Sequence, residues 1–258
     1  MTAMDPRIRE RRIEVSRRQG RRRLAWLGAA AGLVLAVVLL VGLLHTPWMS
    51  AQVVTVAGRH PNTPTADIEA AAGLGGHPPL VDVDPGAVAA RVERLPYVAT
   101  ADVQRQWPDG VRITVSERAP ALQMAGPGQR WSLLDARGRT LGVVPSRAPG
   151  LPQLVVHVAG GNGLPPPQVG GSVASRAAAG LAVCRTLPPA FAAQVLSVTQ
   201  APDATVSLYL NSRLTVLLGT TTDLPAKYED VAAIIAHAPL AGAKTVDVTV
   251  PASPVVSG

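Results

Sequence analysis

The sequence predicts an α+β protein hung on a single N-terminal transmembrane helix, with a βααββ unit next and then a mostly antiparallel β domain with flanking helices. Three observations carry this reading. Leu24 to Leu44 is an uncharged apolar run, a strand, helix, helix, strand, strand order follows it, and the remainder is a succession of short strand-like runs with two apolar helical stretches. The 258 residues are 47% hydrophobic with 24 Gly, 24 Pro and one Cys, which excludes a wholly disordered or a disulfide-stapled chain.

The net charge of +7 sits at one end. Residues 1–23 hold nine arginines (Arg7, Arg9, Arg11, Arg12, Arg17, Arg18, Arg21, Arg22, Arg23) against Asp5, Glu10 and Glu14, leaving 15 bases and 14 acids downstream. A nearly neutral globular part offers no basic face for phosphates, so nucleic acid is not an expected partner. The 21 residues from Leu24 to Leu44, at about 1.5 Å each, span the roughly 30 Å hydrocarbon core of a bilayer. The run exceeds a signal-peptide h-region of about 7–15 residues, and Met49 fits poorly before Ala51 as a cleavage site, so an uncleaved anchor is expected rather than a cleaved signal. Arg17 to Arg23 precede the span while only His45 and Thr46 lie between it and Pro47. The positive-inside bias then predicts a single-pass type II topology, N-terminus in and C-terminus out, with Trp26 and Trp48 at the two headgroup layers. The arginines read as a solvated orientation signal; the alternatives are anionic lipid, at about 1 kcal/mol per residue, or a partner.

Val53 to Ala57 is β-branched and ends at Gly58, a strand leaving the membrane. Thr65 caps a short helix with Asp67 and Glu69 near its positive end and Gly73 just past it. Asp84 before Pro85 caps a second helix, in which Val88, Val92 and Leu95 share a face and Pro96 is the stop. Ala101, Val103 and Arg105, then Val111, Ile113 and Val115, alternate as two strands. Trp107, Pro108, Asp109 and Gly110 join them as a hairpin. Two helices can cover one face of such a three-stranded sheet.

Beyond Pro120, Trp131 to Leu134 and Thr140 to Val144 flank a turn at Asp135, Ala136, Arg137 and Gly138. Residues 145–171 read mostly as loop around the apolar run Leu154 to Val158. A helix over Ala174 to Leu187 follows, then strands at Val195 to Thr199, Val206 to Leu210 and Leu214 to Leu218. Leu224, Tyr228, Val231 and Ile235 predict a helix ended by Pro239, and Thr245 to Val250 a last strand closed by Pro251 and Pro254. The expected organisation is a tail (1–23), a membrane helix (24–44), a first domain (51–119), a β domain (120–250) and a C-terminal tail (251–258).

Catalytic signatures are missing. His45, His60, His77, His157 and His237 are scattered without metal-ligand spacing, so no metal and no cofactor is expected. Cys184, among Ala182, Val183 and Leu187, reads as a small core residue. The glycines around Gly75 and Gly161 lack a phosphate-cradle pattern, and no Gly-x-Ser-x-Gly elbow occurs. Asp82 with Asp84, and Glu229 with Asp230, fall in cap or solvent-facing positions.

The densest motif is Leu95, Pro96, Tyr97, Val98, then Ala101, Val103, Arg105, Trp107, Pro108, then Val111, Ile113, Val115, Glu117, Arg118, Pro120. With the basic tail, the one span and Val54-x-Val56-x-Gly58 after it, the chain resembles the bacterial cell-division family FtsQ/DivIB. Its first extracytoplasmic unit is similar to the polypeptide-transport-associated (POTRA) domain of that family. Leu134, Asp135 and Gly138 look like the opening of the family's β domain, and Val246, Asp247 and Val248 like its terminal strand; the likeness thins between Val143 and Ala190. The resemblance implies a septal location, no catalysis, and a complex with the bitopic proteins FtsB (DivIC) and FtsL. It also implies contacts of the POTRA or membrane-proximal part with FtsK and with the septal wall synthase FtsW and its transpeptidase.

From the residues themselves, Thr245, Val246, Asp247, Val248, Thr249 and Val250 form a late strand that can offer an unpaired edge to a partner strand, with specificity from pockets near Tyr228 and Lys227. The alternative is a strand that only completes the sheet. Arg105, Glu117 and Arg118 are expected as a cross-strand ion pair rather than a partner surface. Two rival functions stay open. A transport module would carry repeated units and a β-barrel, against eight aromatic residues here; an anchored envelope enzyme would need Cys184 as nucleophile.

Overall fold

The computed structural model describes residues 6–161, 163–237, 243–251 and 253–258. The expectations that involve Asp5, the Asn162 position of the second glycine run and the stop at Pro239 lie outside them. Helix α1 runs unbroken over Pro6–Leu44, so the tail continues the membrane helix. Its Ala25–Leu44 stretch has a mean hydropathy of 2.7, is long enough to cross a bilayer, and is not buried among the described residues.

The first unit comprises β1 (Val53–Ala57), α2 (Thr65–Ala72), α3 (Pro85–Val92), β2 (Val98–Gln106) and β3 (Gly110–Glu117), in the sheet order β1-β3-β2. β1 runs parallel to β3 and β2 antiparallel to it. One face buries Val111, Ile113 and Val115 of β3 against Ile68 and Ala72 of α2 and Val88 and Val92 of α3. Each fully buried valine or isoleucine among them contributes about 1.5–3 kcal/mol. Gly58 is required where β1 ends: its φ is +101°, and a Cβ there would run into the backbone carbonyl of Val115.

The Asp84 carboxylate accepts from the N–H groups of Gly86 and Ala87, as its sequence position predicts. Thr65 is not a cap, because Pro64 takes that place and Thr65 is the first helical residue. α3 ends at Val92, before Leu95 and Pro96. In the hairpin, Gly110 is already paired with Gln106, so the loop is Trp107, Pro108 and Asp109 and not a two-residue Asp-Gly turn.

The second unit is a nine-stranded sheet. Its strands are β4 (Leu122–Ala125), β5 (Trp131–Leu134), β6 (Thr140–Val144), β7 (Gln153–Val156), β8 (Val195–Gln200), β9 (Val206–Leu210), β10 (Thr215–Gly219), β11 (Thr245–Asp247) and β12 (Val255–Ser257). Helices α4 (Ala178–Thr186), α5 (Pro189–Ala192) and α6 (Leu224–His237) accompany it. The order is β12-β11-β10-β9-β8-β7-β4-β5-β6; β10 with β11, β7 with β8 and β4 with β7 are parallel, and the other pairs antiparallel. The chain is thus α+β, with a mostly antiparallel second sheet. Leu181 and Val183 of α4, Leu224, Tyr228 and Val231 of α6, and alternate residues of β7 to β11 form its core.

Two buried glutamines order what composition leaves as loop. Gln123 donates to the carbonyls of Ala148 and Leu151 and accepts from the Ala148 N–H, fixing the turn before β7. Gln200 bridges the Arg176 carbonyl and the Gly180 N–H, and α4 begins at Ala178, four residues later than the apolar run. The last strand is shorter than its valine pattern: β11 ends at Asp247, and the expected tail after Pro251 carries β12.

Candidate interaction surfaces

The terminal edge of the large sheet is built by α6, β10, β11 and β12. β11 lies parallel on β10, with Thr215 opposite Thr245, Val216 opposite Val246 and Leu217 opposite Asp247. Val246 and Val248 are fully buried, and the Val248 N–H donates to the Leu217 carbonyl at 3.0 Å. The Asp247 carboxylate accepts from the Thr249 N–H, turning the chain out of the sheet, and Val250 is exposed. Of the expected strand residues, Thr245, Val246 and Asp247 are therefore in the ladder while Val248, Thr249 and Val250 are beyond it.

The edge expected to be free is covered by the chain itself. β12 lies antiparallel on the outer side of β11, with Thr245 opposite Ser257, Val246 opposite Val256 and Asp247 opposite Val255.

Lys227 and Tyr228 belong to the interior and not to a specificity pocket. Lys227 is 2% exposed, and its ammonium donates to the carbonyls of Leu218 and Thr220 at 2.8 Å each. It ties the end of β10 to α6. The Tyr228 hydroxyl meets Thr186 Oγ1 at 3.0 Å and the Val183 carbonyl at 3.3 Å, and burial pushes its pKa up.

The second surface is the junction between the two sheets. Arg118, just past β3, donates from Nε to the Val98 carbonyl and from a terminal nitrogen to Asp135 at 3.0 Å. Asp135, 5% exposed in the β5–β6 turn, accepts with its other oxygen from the N–H groups of Arg137 and Arg139 at 2.9 Å each. Arg139 donates to the Arg94 carbonyl at the end of the α3 segment. The expected cross-strand pair is absent: Arg105 donates to the Val83 carbonyl, and Glu117 accepts from the backbone and side chain of Asn62. Glu117 feels burial, which raises its pKa, but the donors of the Asn62–Thr63 turn outweigh this and hold it below its ordinary value. Trp107 stands exposed at the hairpin tip beside Pro108. The alternation of β2 and β3 placed these residues, yet only long-range geometry names Asp135 and Asn62 as their partners.

Burial pushes the Cys184 thiol up to about 12, so it is protonated at neutral pH and is not an activated nucleophile. No cluster of three or more His, Cys, Asp or Glu that could hold a metal occurs among the described residues.

Residues 49–118 match the family model described as POTRA domain, FtsQ-type, and residues 124–249 the one described as Cell division protein FtsQ/DivIB, C-terminal. The chain is 34% identical over 251 residues to Cell division protein FtsQ of Streptomyces collinus, covering 94% of this chain and 92% of that one. The chain belongs to the FtsQ/DivIB family of cell-division proteins. It is also 34% identical over 238 residues to Cell division protein FtsQ of Mycolicibacterium smegmatis (92% of this chain, 66% of that one). The FtsQ of Streptomyces griseus is 33% identical over 192 residues (74% and 89%). The two matches meet at the junction: Arg118 is the last residue of the POTRA match, and Asp135 lies inside the C-terminal one, which begins at residue 124. Family membership and the apolar N-terminal helix together make this a membrane-anchored division protein.

Proposed function

We propose that this chain is a non-enzymatic scaffold of the division machinery, acting at the septum. In this reading the first domain spans 51–119 and the β domain 120–250. The tail is cytoplasmic, and both domains stand outside the membrane, as the arginines before the span favour. The β domain captures FtsB/DivIC-like and FtsL-like bitopic proteins by strand addition, while the POTRA domain and membrane-proximal residues meet FtsK and FtsW with its transpeptidase. Septal peptidoglycan synthesis is thereby linked to the complex.

The observation that supports strand addition is the end of the nine-stranded sheet. Its last core-bearing strand, β11, is followed outward by only three residues, none of them buried. Main-chain groups at such an edge supply affinity to an incoming strand. Val248 is unsuitable for a test, since it is buried and its N–H is engaged within the sheet. Thr245 is the first residue of β11, a place that tolerates proline, and the neighbouring bonds of Lys244 and Val248 to β10 leave its own amide on the outer side. Thr245→Pro should lose capture of the co-expressed FtsB-like and FtsL-like partners while melting stays near wild type. Capture at wild-type level overturns strand addition at β11.

A further inference from the structure

β12, outermost at one end of the nine-stranded sheet, is weakly anchored. β12 pairs with β11 in antiparallel register, and the Lys244 N–H donates to the Ser257 carbonyl at 2.9 Å. Yet Val255 is 59% and Val256 41% exposed, and neither belongs to the core that Val246 and Val248 join. Pro251 and Pro254 lie in the connecting segment, where the Ser253 N–H closes a turn on Val250. Such a strand gains ladder hydrogen bonds and almost no apolar burial, and its bonds are opposed by the entropy of ordering the residues that make them. A segment of this kind opens at the low end of the local stability range. It nevertheless shields the edge, because an unpaired strand beside a fully buried valine invites uncontrolled pairing.

We propose that β12 is an intramolecular placeholder for the partner strand: it covers the outer edge of β11 in the free protein and is displaced when an extended partner segment adds there. The proposal rests on strand addition at β11 and says how that site is guarded. It also specifies the visitor. The register of β12 predicts a partner strand antiparallel to β11, carrying an apolar residue opposite Val246, where Val256 stands now. A partner segment that lays apolar surface along β11 beside Val246 gains burial that the exposed Val255 and Val256 forgo. A partner therefore outcompetes β12 even though β12, being tethered, has the advantage of local concentration.

The apparent affinity of a site that is only partly open is its intrinsic affinity scaled by the open fraction. Removing the placeholder must tighten capture, and locking it must abolish capture. The measurement is titration of the full-length protein in detergent with the extracytoplasmic domains of its FtsB-like and FtsL-like partners. Three forms are compared: the unaltered chain, a chain ending at Val250, and a Thr245→Cys, Ser257→Cys chain in a Cys184→Ala background, oxidised and then reduced. The chain ending at Val250 should bind about 3- to 30-fold more tightly. The oxidised chain should lose at least about tenfold, recovered on reduction. Hydrogen exchange of the free full-length protein should find β12 amides exchanging well before those of β9.

Equal affinity of the unaltered and shortened chains, or capture by the oxidised chain, overturns the placeholder and leaves strand addition standing. Loss of capture on shortening makes β12 itself the docking strand and also overturns it. Absence of capture by the unaltered and shortened chains alike sinks strand addition with it.

Discussion

Asp135 is where the two sheets are mechanically joined, and its removal can be worked through bond by bond. One oxygen receives the N–H groups of Arg137 and Arg139, and the other receives the Arg118 guanidinium at 3.0 Å. The Arg118 and Asp135 side chains are 19% and 7% exposed, so solvent compensates little. Hydrogen bonds to a charged group contribute about 1.5–3 kcal/mol each when neither partner can reach water freely, and breaking a buried pair on one side costs about 3–5 kcal/mol. Asp135→Ala, which removes all three contacts, should cost about 3–5 kcal/mol. Asp135→Asn keeps an acceptor for the turn and loses only the ion pair, at about 1–3 kcal/mol. Arg118→Met leaves the carboxylate with its two backbone donors but also removes the Nε bond to the Val98 carbonyl, and should cost about 2–4 kcal/mol. The assay is urea unfolding of the full chain in detergent, with the Arg118→Met, Asp135→Asn double variant closing a thermodynamic cycle. Asp135→Asn within about 0.5 kcal/mol of wild type, or strictly additive single changes, would refute the reasoning.

Cys184, with its thiol pushed up to about 12, should react with a thiol reagent at neutral pH only after denaturant is added; rapid labelling of the folded chain would revive the envelope-enzyme reading. Glu117 has a folded pKa below its ordinary value, so its contribution to stability is present above the ordinary value and is lost as the pH falls through the lowered one. Glu117→Gln should therefore flatten that part of the acid limb in a melting series, and an unchanged limb would contradict it. Lys227→Ala strips the Leu218 and Thr220 carbonyls of their donor and opens a void. It should cost about 2–4 kcal/mol, read as a lowered denaturation midpoint; a neutral effect would mean that water replaces the ammonium.

Local order was legible wherever a pattern and its partner lay close in the chain. The Asp84 cap, the Val111–Ile113–Val115 face and the Asp135–Gly138 turn needed only short-range rules. Gly58 shows the same rule one level up, since its place in the Val54-x-Val56-x-Gly58 motif comes from the carbonyl of a strand more than fifty residues away. Lys227 marks the limit. Helical spacing puts it next to Tyr228, and a lysine is expected in solvent, yet two carbonyls at the end of β10 draw its ammonium inside. No periodicity reports where orphan acceptors of another element will lie.

The same limit explains the largest departure at the candidate site. Alternating valines identify Thr245 to Asp247 as strand, but alternation says nothing of which strand lies beside it, because both edges of a β-strand carry identical groups. The segment from Pro251 onward, with Pro251 and Pro254 close together, has none of the alternation that marks a strand and reads as a tail. It becomes β12 only because the β11 edge is within reach and needs a partner. A segment recruited by an edge, rather than by its own side chains, holds its place only until a better-matched strand arrives. The weakness that hides β12 from sequence reading is therefore the property that lets it yield to a partner.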